Sequence, residues 1–266
     1  LNAAETLEKL PGFNQKNLVG GIYYWDAWTN DARLTVDVLC SCNKKGAVVL
    51  NYFEVQKLNA ENDSVQTATV FDKISNTEIK VKAKIFVNAT GVWTDDVLSR
   101  LDEATVKRIK PTKGVHVVVP SAKLPKTCVA IVSSVSGEKR FLYTLPWEHD
   151  LTILGATDTN YTGTADNVNV SVDDVKYLLE TFNAGFPNAH LTMKDVVSVF
   201  SGLRPLLKED GNKTGNYSRS REYEIWWTKN NFVNIAGGKL TSFLSMGKHC
   251  LDVVAQKFSL SASATT

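Results

Sequence analysis

The sequence predicts an α/β fold with α+β character, divided between two domains. Residues 30–104 and the strand–Gly-Gly–helix run 232–258 read as mixed helix and strand, and they flank a strand-rich middle that begins near Lys110. The 266 residues suit one large domain or two ordinary ones, with ample chain to bury a core. Hydrophobic residues at 43% and charged residues at 22% match soluble globular chains and argue against disorder as the main state.

The elements follow in order. Leu1–Pro11 is a mixed polar, helix-like opening rather than a signal peptide. Gly20–Trp28 reads as an aromatic strand, after which Thr29 or Asn30 caps a helix that starts at Asp31 and stops at Gly46. Ala47–Leu50 and Tyr52–Val55 read as strands. Ile79, Val81, Ala83, Ile85 and Val87 alternate with lysines, as in one half-exposed strand, and Thr94 caps a short helix through Leu101. Lys110–Pro120, Thr127–Ser133, Phe141–Pro146 and Leu151–Ala156 are strands of the middle region. Ser171–Ala184 is the clearest helix, with Val172, Val175, Leu178, Leu179 and Phe182 on one face and Gly185 and Pro187 at its end. Val196–Leu203, Glu222–Trp227 and Phe232–Ala236 are further strands. Leu240, Leu244, Gly247, Leu251, Val254 and Phe258 give the last helix one continuous apolar face.

Composition removes several functions. Thirty Lys+Arg against 28 Asp+Glu leave a net charge of +2, too little for the basic field that nucleic-acid binding needs. Apolar runs such as Val129–Val132 fall far short of the roughly 18 residues of a membrane span. Cys40, Cys42, Cys128 and Cys250 form no CxxC pair and have no His at zinc spacing, so no metal site is read; all four are expected to be ordinary thiols, mostly in the core. The sequence contains no G-x-G-x-x-G and no P-loop. With no initiator Met before its helix-like opening, it reads as a fragment.

Four constellations can carry chemistry. In Phe232–Thr241 an apolar strand delivers Gly237 and Gly238 to a helix N-terminus, where free N–H groups favour a negative group or an electron-rich carbonyl, and Lys239 adds a cation. The same residues also read as a plain strand–helix turn with a solvated lysine. Phe86–Trp93 ends a strand in Asn-Ala-Thr-Gly, small residues of the sort that line nucleotide sites at strand carboxyl ends, or a plain turn. His116, in Lys113-Gly114-Val115-His116, suits taking a proton from a hydroxyl, or serves as a hydrogen-bonded core residue. Arg204, forced out of helical geometry by Pro205, and Arg221 can clamp a phosphate or carboxylate; alternatively, Arg221 pairs with Glu222 or Glu224 at the surface.

Seven segments in order resemble the FAD-dependent glycerol-3-phosphate dehydrogenases and oxidases, within the two-domain flavoproteins related to D-amino-acid oxidase. They are Asn30–Leu34, Asn88–Trp93, Pro111–His116, Gly155–Asp158, Ser201–Leu206, Ser220–Glu222 and Gly237–Thr241. The resemblance implies a partial FAD-binding α/β domain (30–104 and 232–258), a mixed-sheet substrate-binding domain (1–29 and 105–231) and a flexible tail (259–266). It implies oxidation of sn-glycerol 3-phosphate to dihydroxyacetone phosphate, with oxygen or a quinone as electron acceptor. Ala89, Thr90, Gly91 and Trp93 would line the FAD on one side. Gly237, Gly238, Leu240 and Thr241 would lie at its pyrimidine edge. His116 would face the substrate carbon and flavin N5 as the base, while Arg204, Arg221 and Lys239 surround the phosphorylated polyol. Arg33 is expected to be structural.

Two departures stand out. The family's N-terminal dinucleotide-binding βαβ has no counterpart, so the chain is expected to hold FAD weakly or not at all and to lack turnover. Ser242-Phe243-Leu244 keeps the aromatic that follows Lys-Leu-Thr but not the arginine. The expected setting is cytoplasmic, with peripheral membrane contact of the parent left open and no oligomeric state assigned. A related 2-hydroxy-acid or amino-acid oxidase, and a non-catalytic phospho-ligand module, are the alternatives.

Overall fold

The computed structural model describes residues 1–101, 106–132, 141–208 and 222–260. In chain order the helices are α1 (Ala3–Lys9), α2 (Asp31–Lys44), α3 (Thr94–Ser99), α4 (Val172–Gly185) and α5 (Phe243–Phe258). The first strands are β1 (Phe53–Glu61), β2 (Ser64–Asp72), β3 (Thr77–Val81), β4 (Phe86–Asn88), β5 (Thr112–Pro120) and β6 (Val129–Val132). They are followed by β7 (Phe141–Trp147), β8 (Leu151–Gly155), β9 (Thr159–Asn160), β10 (Ser198–Arg204), β11 (Tyr223–Lys229) and β12 (Phe232–Gly237).

Two compact units result: Leu1–Asp26 with Thr112–Leu203, and Ala27–Pro111 with Arg204–Thr266. The first is built on a sheet of order β10-β5-β8-β7-β6, with β9 paired to the start of β5. α4 covers its apolar face: Val115, Val117, Val119, Leu142 and Leu154 pack with Val175, Leu178, Leu179 and Phe182. Ser171 starts α4 with a capping box, its Oγ accepting from the Asp174 backbone at 3.1 Å while Asp174 accepts from the Ser171 backbone at 2.9 Å. Lys113, on β5, donates to the same carboxylate at 2.6 Å and is largely enclosed with it, tying β5 to the first turn of α4.

In the second unit β1, β2 and β3 form an antiparallel meander. The β1–β2 hairpin turns on Asn62 and Asp63, both at positive φ (49° and 58°), as a two-residue turn requires. The other sheet has the order β11-β12-β4, with β11 antiparallel and β4 parallel to β12. Leu58, Val65, Ala68 and Val70 of the hairpin pack with Leu98 and Phe232. Asn231 pins the two sheets together, accepting from the Val65 N–H at 2.8 Å and donating to its carbonyl at 2.9 Å. Cys250 and Val254 of α5 pack on Val233 and Ile235.

Several elements differ from the sequence reading. Gly20–Trp28 forms no strand beyond a single bridge from Gly20 to Asn2. A strand needs a partner for its backbone, and aromatic composition supplies none. Ala47–Leu50 is likewise irregular, and the alternating run 79–87 divides into β3 and β4. The buried stripe of α5 is Cys250 and Val254 with Met246 beside them, while Leu240, Leu244 and Leu251 are exposed. Cys40, Cys42 and Cys128 are exposed too, leaving Cys250 as the buried thiol. Tyr223–Lys229 packs as β11 beside β12, so on this side the two units divide at Arg204.

Candidate functional site

Two parallel strands bring the two glycine-bearing turns together. Phe232, Val233 and Asn234 of β12 stand in register with Phe86, Val87 and Asn88 of β4. Both strands therefore end side by side, and Ala89–Trp93 and Gly237–Thr241 leave from the same carboxyl edge. That edge is where open α/β sheets place ligands.

The backbone at the edge is unusual in the way such a surface needs. Gly91 has φ +59°, and a Cβ there would meet nothing within 4 Å. Gly237 (φ +88°) and Gly238 (φ +75°) bend β12 sharply into a 3-10 turn, Leu240–Ser242, that runs directly into α5. A Cβ at Gly237 would stand 2.5 Å from the Glu222 carbonyl, so only glycine fits. Ala89, Thr90, Trp93, Lys239, Leu240 and Thr241 are all exposed on this edge or its turns. The result is a small-residue, backbone-lined surface with a helix N-terminus beside it, suited to a flat group with electron-rich carbonyls.

A chain of buried amides fixes this surface from beneath. Asn88 donates to the Asn234 side-chain oxygen at 3.0 Å and to the Thr94 carbonyl at 3.2 Å. Its own oxygen accepts from the Thr90 hydroxyl at 2.6 Å. Asn234 donates to the Thr228 hydroxyl at 2.8 Å and to the Trp226 carbonyl at 3.3 Å. Thr94 Oγ1 donates to the Gly91 carbonyl at 2.7 Å, holding the next turn. Each amide thus uses its oxygen and its nitrogen, as burial at 2% and 0% exposure demands. The sequence reading did not assign Asn88 or Asn234 a role. The signal was present: Phe-Val-Asn occurs at 86–88 and again at 232–234, each time leading into small residues.

The remaining predicted residues lie elsewhere. His116 is half-buried in β5, in register with Gly155 of β8. Its ring stacks on Phe200 of β10, with centroids 4.8 Å apart and planes 12° from parallel. Arg204 is the last residue of β10, half-buried. Alternation puts Phe200, Gly202 and Arg204 on one face of that strand, and a Cβ at Gly202 would meet nothing within 4 Å. Arg221 lies outside the described residues; Glu224, one of its suggested partners, pairs with Arg108 at 3.3 Å. Among the described residues, no group of three or more His, Cys, Asp or Glu is placed to hold a metal ion, and no helix is long and apolar enough to cross a membrane.

The profile of a family described as FAD dependent oxidoreductase matches residues 1–250. The chain belongs to that family. FAD is the family's cofactor. The aerobic glycerol-3-phosphate dehydrogenase of Staphylococcus aureus is 35% identical over 258 residues, which is 97% of this chain and 46% of that protein. The solved glycerol-3-phosphate dehydrogenase of Bacillus halodurans, complexed with FAD, superposes with a TM-score of 0.88 at 34% identity, covering 100% of this chain and 51% of that one. The L-alpha-glycerophosphate oxidase of Mycoplasma pneumoniae, with FAD bound, shares the fold (TM-score 0.72, 20% identity, 96% of this chain and 63% of that one). The chain spans about half the length of the curated relatives it matches.

Proposed function

We propose that this chain carries the substrate-handling residues and part of the FAD surface of an enzyme that oxidises sn-glycerol 3-phosphate to dihydroxyacetone phosphate. The observation that carries the reading is the half-buried His116, whose ring stacks on Phe200 of β10, two residues from Gly202, where a Cβ would meet nothing within 4 Å. Relatives named glycerol-3-phosphate dehydrogenases at 34–35% identity supply the substrate class.

The chemistry divides among named groups. A secondary alcohol becomes a ketone by losing the hydroxyl proton and the hydrogen on the same carbon with its electron pair. His116 as neutral imidazole takes the proton and becomes imidazolium. Bound FAD would supply the acceptor for the hydride. Arg204 holds the phosphate through its planar fork, with Arg221 as the second arm and Lys239 adding charge. Binding the phosphate away from the reacting carbon orients that carbon without weakening its bond in advance. Ala89, Thr90, Gly91 and Trp93 would hold FAD on one side, and Gly237, Gly238, Leu240 and Thr241 would hold it on the other, with oxygen or a quinone as the final electron acceptor. Because the sequence holds no G-x-G-x-x-G cradle for a pyrophosphate, the 266-residue chain by itself binds FAD weakly or not at all and does not turn over.

The test has two arms. Calorimetry on the chain should detect glycerol 3-phosphate and lose it with Arg204→Ala. In an FAD-loaded form of the enzyme, His116→Ala should lower kcat by about 10²-fold or more. Turnover unchanged in both variants would refute the assignment, and flavin co-purifying stoichiometrically with the chain would refute the statement about FAD.

A further inference from the structure

We infer that Phe200 and Gly155 are positioning residues that clamp the imidazole in one orientation. The inference rests on the reading of His116 as the base, but its geometry can be tested without that reading.

The three residues come from three adjacent strands, β10, β5 and β8. On one side the Phe200 ring lies nearly parallel to the imidazole, 12° from its plane, at a centroid distance of 4.8 Å. On the other, Gly155 is the direct cross-strand partner of His116. A Cβ built there would collide with His116 Cδ2 and would stand 2.9 Å from both Cγ and Nε2. The imidazole thus occupies the space that any side chain at 155 would need. Gly155 does not have a positive φ, so its backbone does not demand glycine. The demand comes from the imidazole that leans over it.

Such a site is a two-walled slot. A planar aromatic closes one side and bare backbone the other, which removes the rotamers through which a half-buried histidine would otherwise wander. For a base this matters because a small error in placing the accepting nitrogen costs rate while leaving binding intact. A histidine kept only for its own packing would need neither a parallel ring nor a bare backbone beside it.

NMR on the 266-residue chain reads the clamp directly, since only four histidines contribute imidazole signals. The expected result is an upfield, ring-current-shifted His116 signal that moves toward the other three in Phe200→Leu and is kept in Phe200→Tyr. Gly155→Ala should lower the thermal midpoint by roughly 4 °C or more, as overpacking does, and should have almost no effect when combined with His116→Ala. An imidazole signal that is the same in Phe200→Leu, or a Gly155→Ala cost that persists without His116, would overturn the clamp. In the FAD-loaded enzyme, Phe200→Leu should lower kcat by about tenfold or more with KM little changed, and Phe200→Tyr should restore it. If instead the spectroscopic effects hold while His116→Ala leaves turnover unchanged, the role of His116 as base falls, and with it the catalytic sense of the clamp.

Discussion

Unit two holds its candidate surface with hydrogen bonds between buried amides, whereas unit one sets its candidate base against a stacked ring and a bare backbone. At the β4–β12 edge, Asn88 and Asn234 join the two turns through buried amides that satisfy one another and the hydroxyls of Thr90 and Thr228. At His116 a stacked ring and an absent side chain border the imidazole. A surface made of loop backbone has few side chains to pack, so polar groups must set its position; a single imidazole on a sheet can be set by its neighbours' volumes. The ion pair from Lys113 to Asp174 anchors the strand that carries the ring.

Breaking the amide latch should have the largest effect. Asn234→Ala, at a fully buried position, leaves the Asn88 amide and the part-buried Trp226 carbonyl and Thr228 hydroxyl short of partners. The expected loss is about 4 kcal/mol, read as faster native-state hydrogen exchange at the Val233 and Ile235 amides. The double variant Asn88→Ala/Asn234→Ala should cost less than the sum of the singles, because the two amides satisfy each other. Strict additivity would mean that no latch exists.

Next comes the strand anchor of unit one. Lys113→Met strands the Asp174 carboxylate, which is 8% exposed, with only the Ser171 groups as donors. A loss of about 3 kcal/mol is expected, localised by exchange at Val115 and Val117. If His116 is clamped by shape, its ring-current shift should survive at temperatures where this variant is still folded. Loss of that shift together with the ion pair would merge the two modes of restraint into one.

Much of this was legible in the sequence, and what was not has definite causes. The cap of α4 could be read because Ser171 and Asp174 are local to each other. The Gly-Gly turn after β12 could be read because glycines before a helix have few other uses. The facing of α5 could not: its sequence carries two apolar stripes at helical spacing, and only the sheet decides that Cys250 and Val254 go inward. Asn234 was hidden because one polar residue in an apolar strand looks like noise until its partner, 146 positions away in sequence, stands beside it. Phe200 and Gly155 were hidden for the same reason, since their meaning lies in the residue on the next strand.

Acid should separate the β5 anchor from the amide latch, because the anchor is an ion pair and the latch is made of neutral amides and hydroxyls. Burial pushes the Asp174 carboxyl up, but hydrogen bonds from Lys113 and Ser171 outweigh it and leave the pKa below the usual aspartate value. Asp195, bonded by Lys123 and then by Thr192, is lowered to about 2. A carboxyl lowered in the folded state stabilises fully above the unfolded value of roughly 3.9 and loses that contribution as pH falls through its folded value. Unit one should therefore lose dispersion of its amide signals between about pH 4 and pH 2. Glu54 and Asp72 of unit two are also lowered, but they lie on the hairpin rather than in the latch. The amides and hydroxyls of the latch do not titrate there, so β4 and β12 should stay ordered after β5 has loosened; simultaneous loss would contradict the comparison.

The smallest expected effect concerns Arg33, which sits in one of the seven family-like segments yet belongs to neither mode of restraint. Its guanidinium meets Asp37 at 3.1 Å one helical turn on, with side chains 76% and 59% exposed. Its backbone N–H donates to the Asn30 side chain at 3.0 Å and so closes the cap of α2, a bond that any residue at this position can make. An exposed pair of this spacing contributes a few tenths of a kcal/mol, screened further by salt. Arg33→Ala should therefore shift stability by less than about 0.5 kcal/mol, while Asn30→Ala, which removes the cap itself, should cost about 1 kcal/mol of helix stability. Circular dichroism on the two variants would rank them. A larger loss for Arg33 than for Asn30 would mean that the arginine makes a contact beyond α2, and that this segment also belongs among the functional ones.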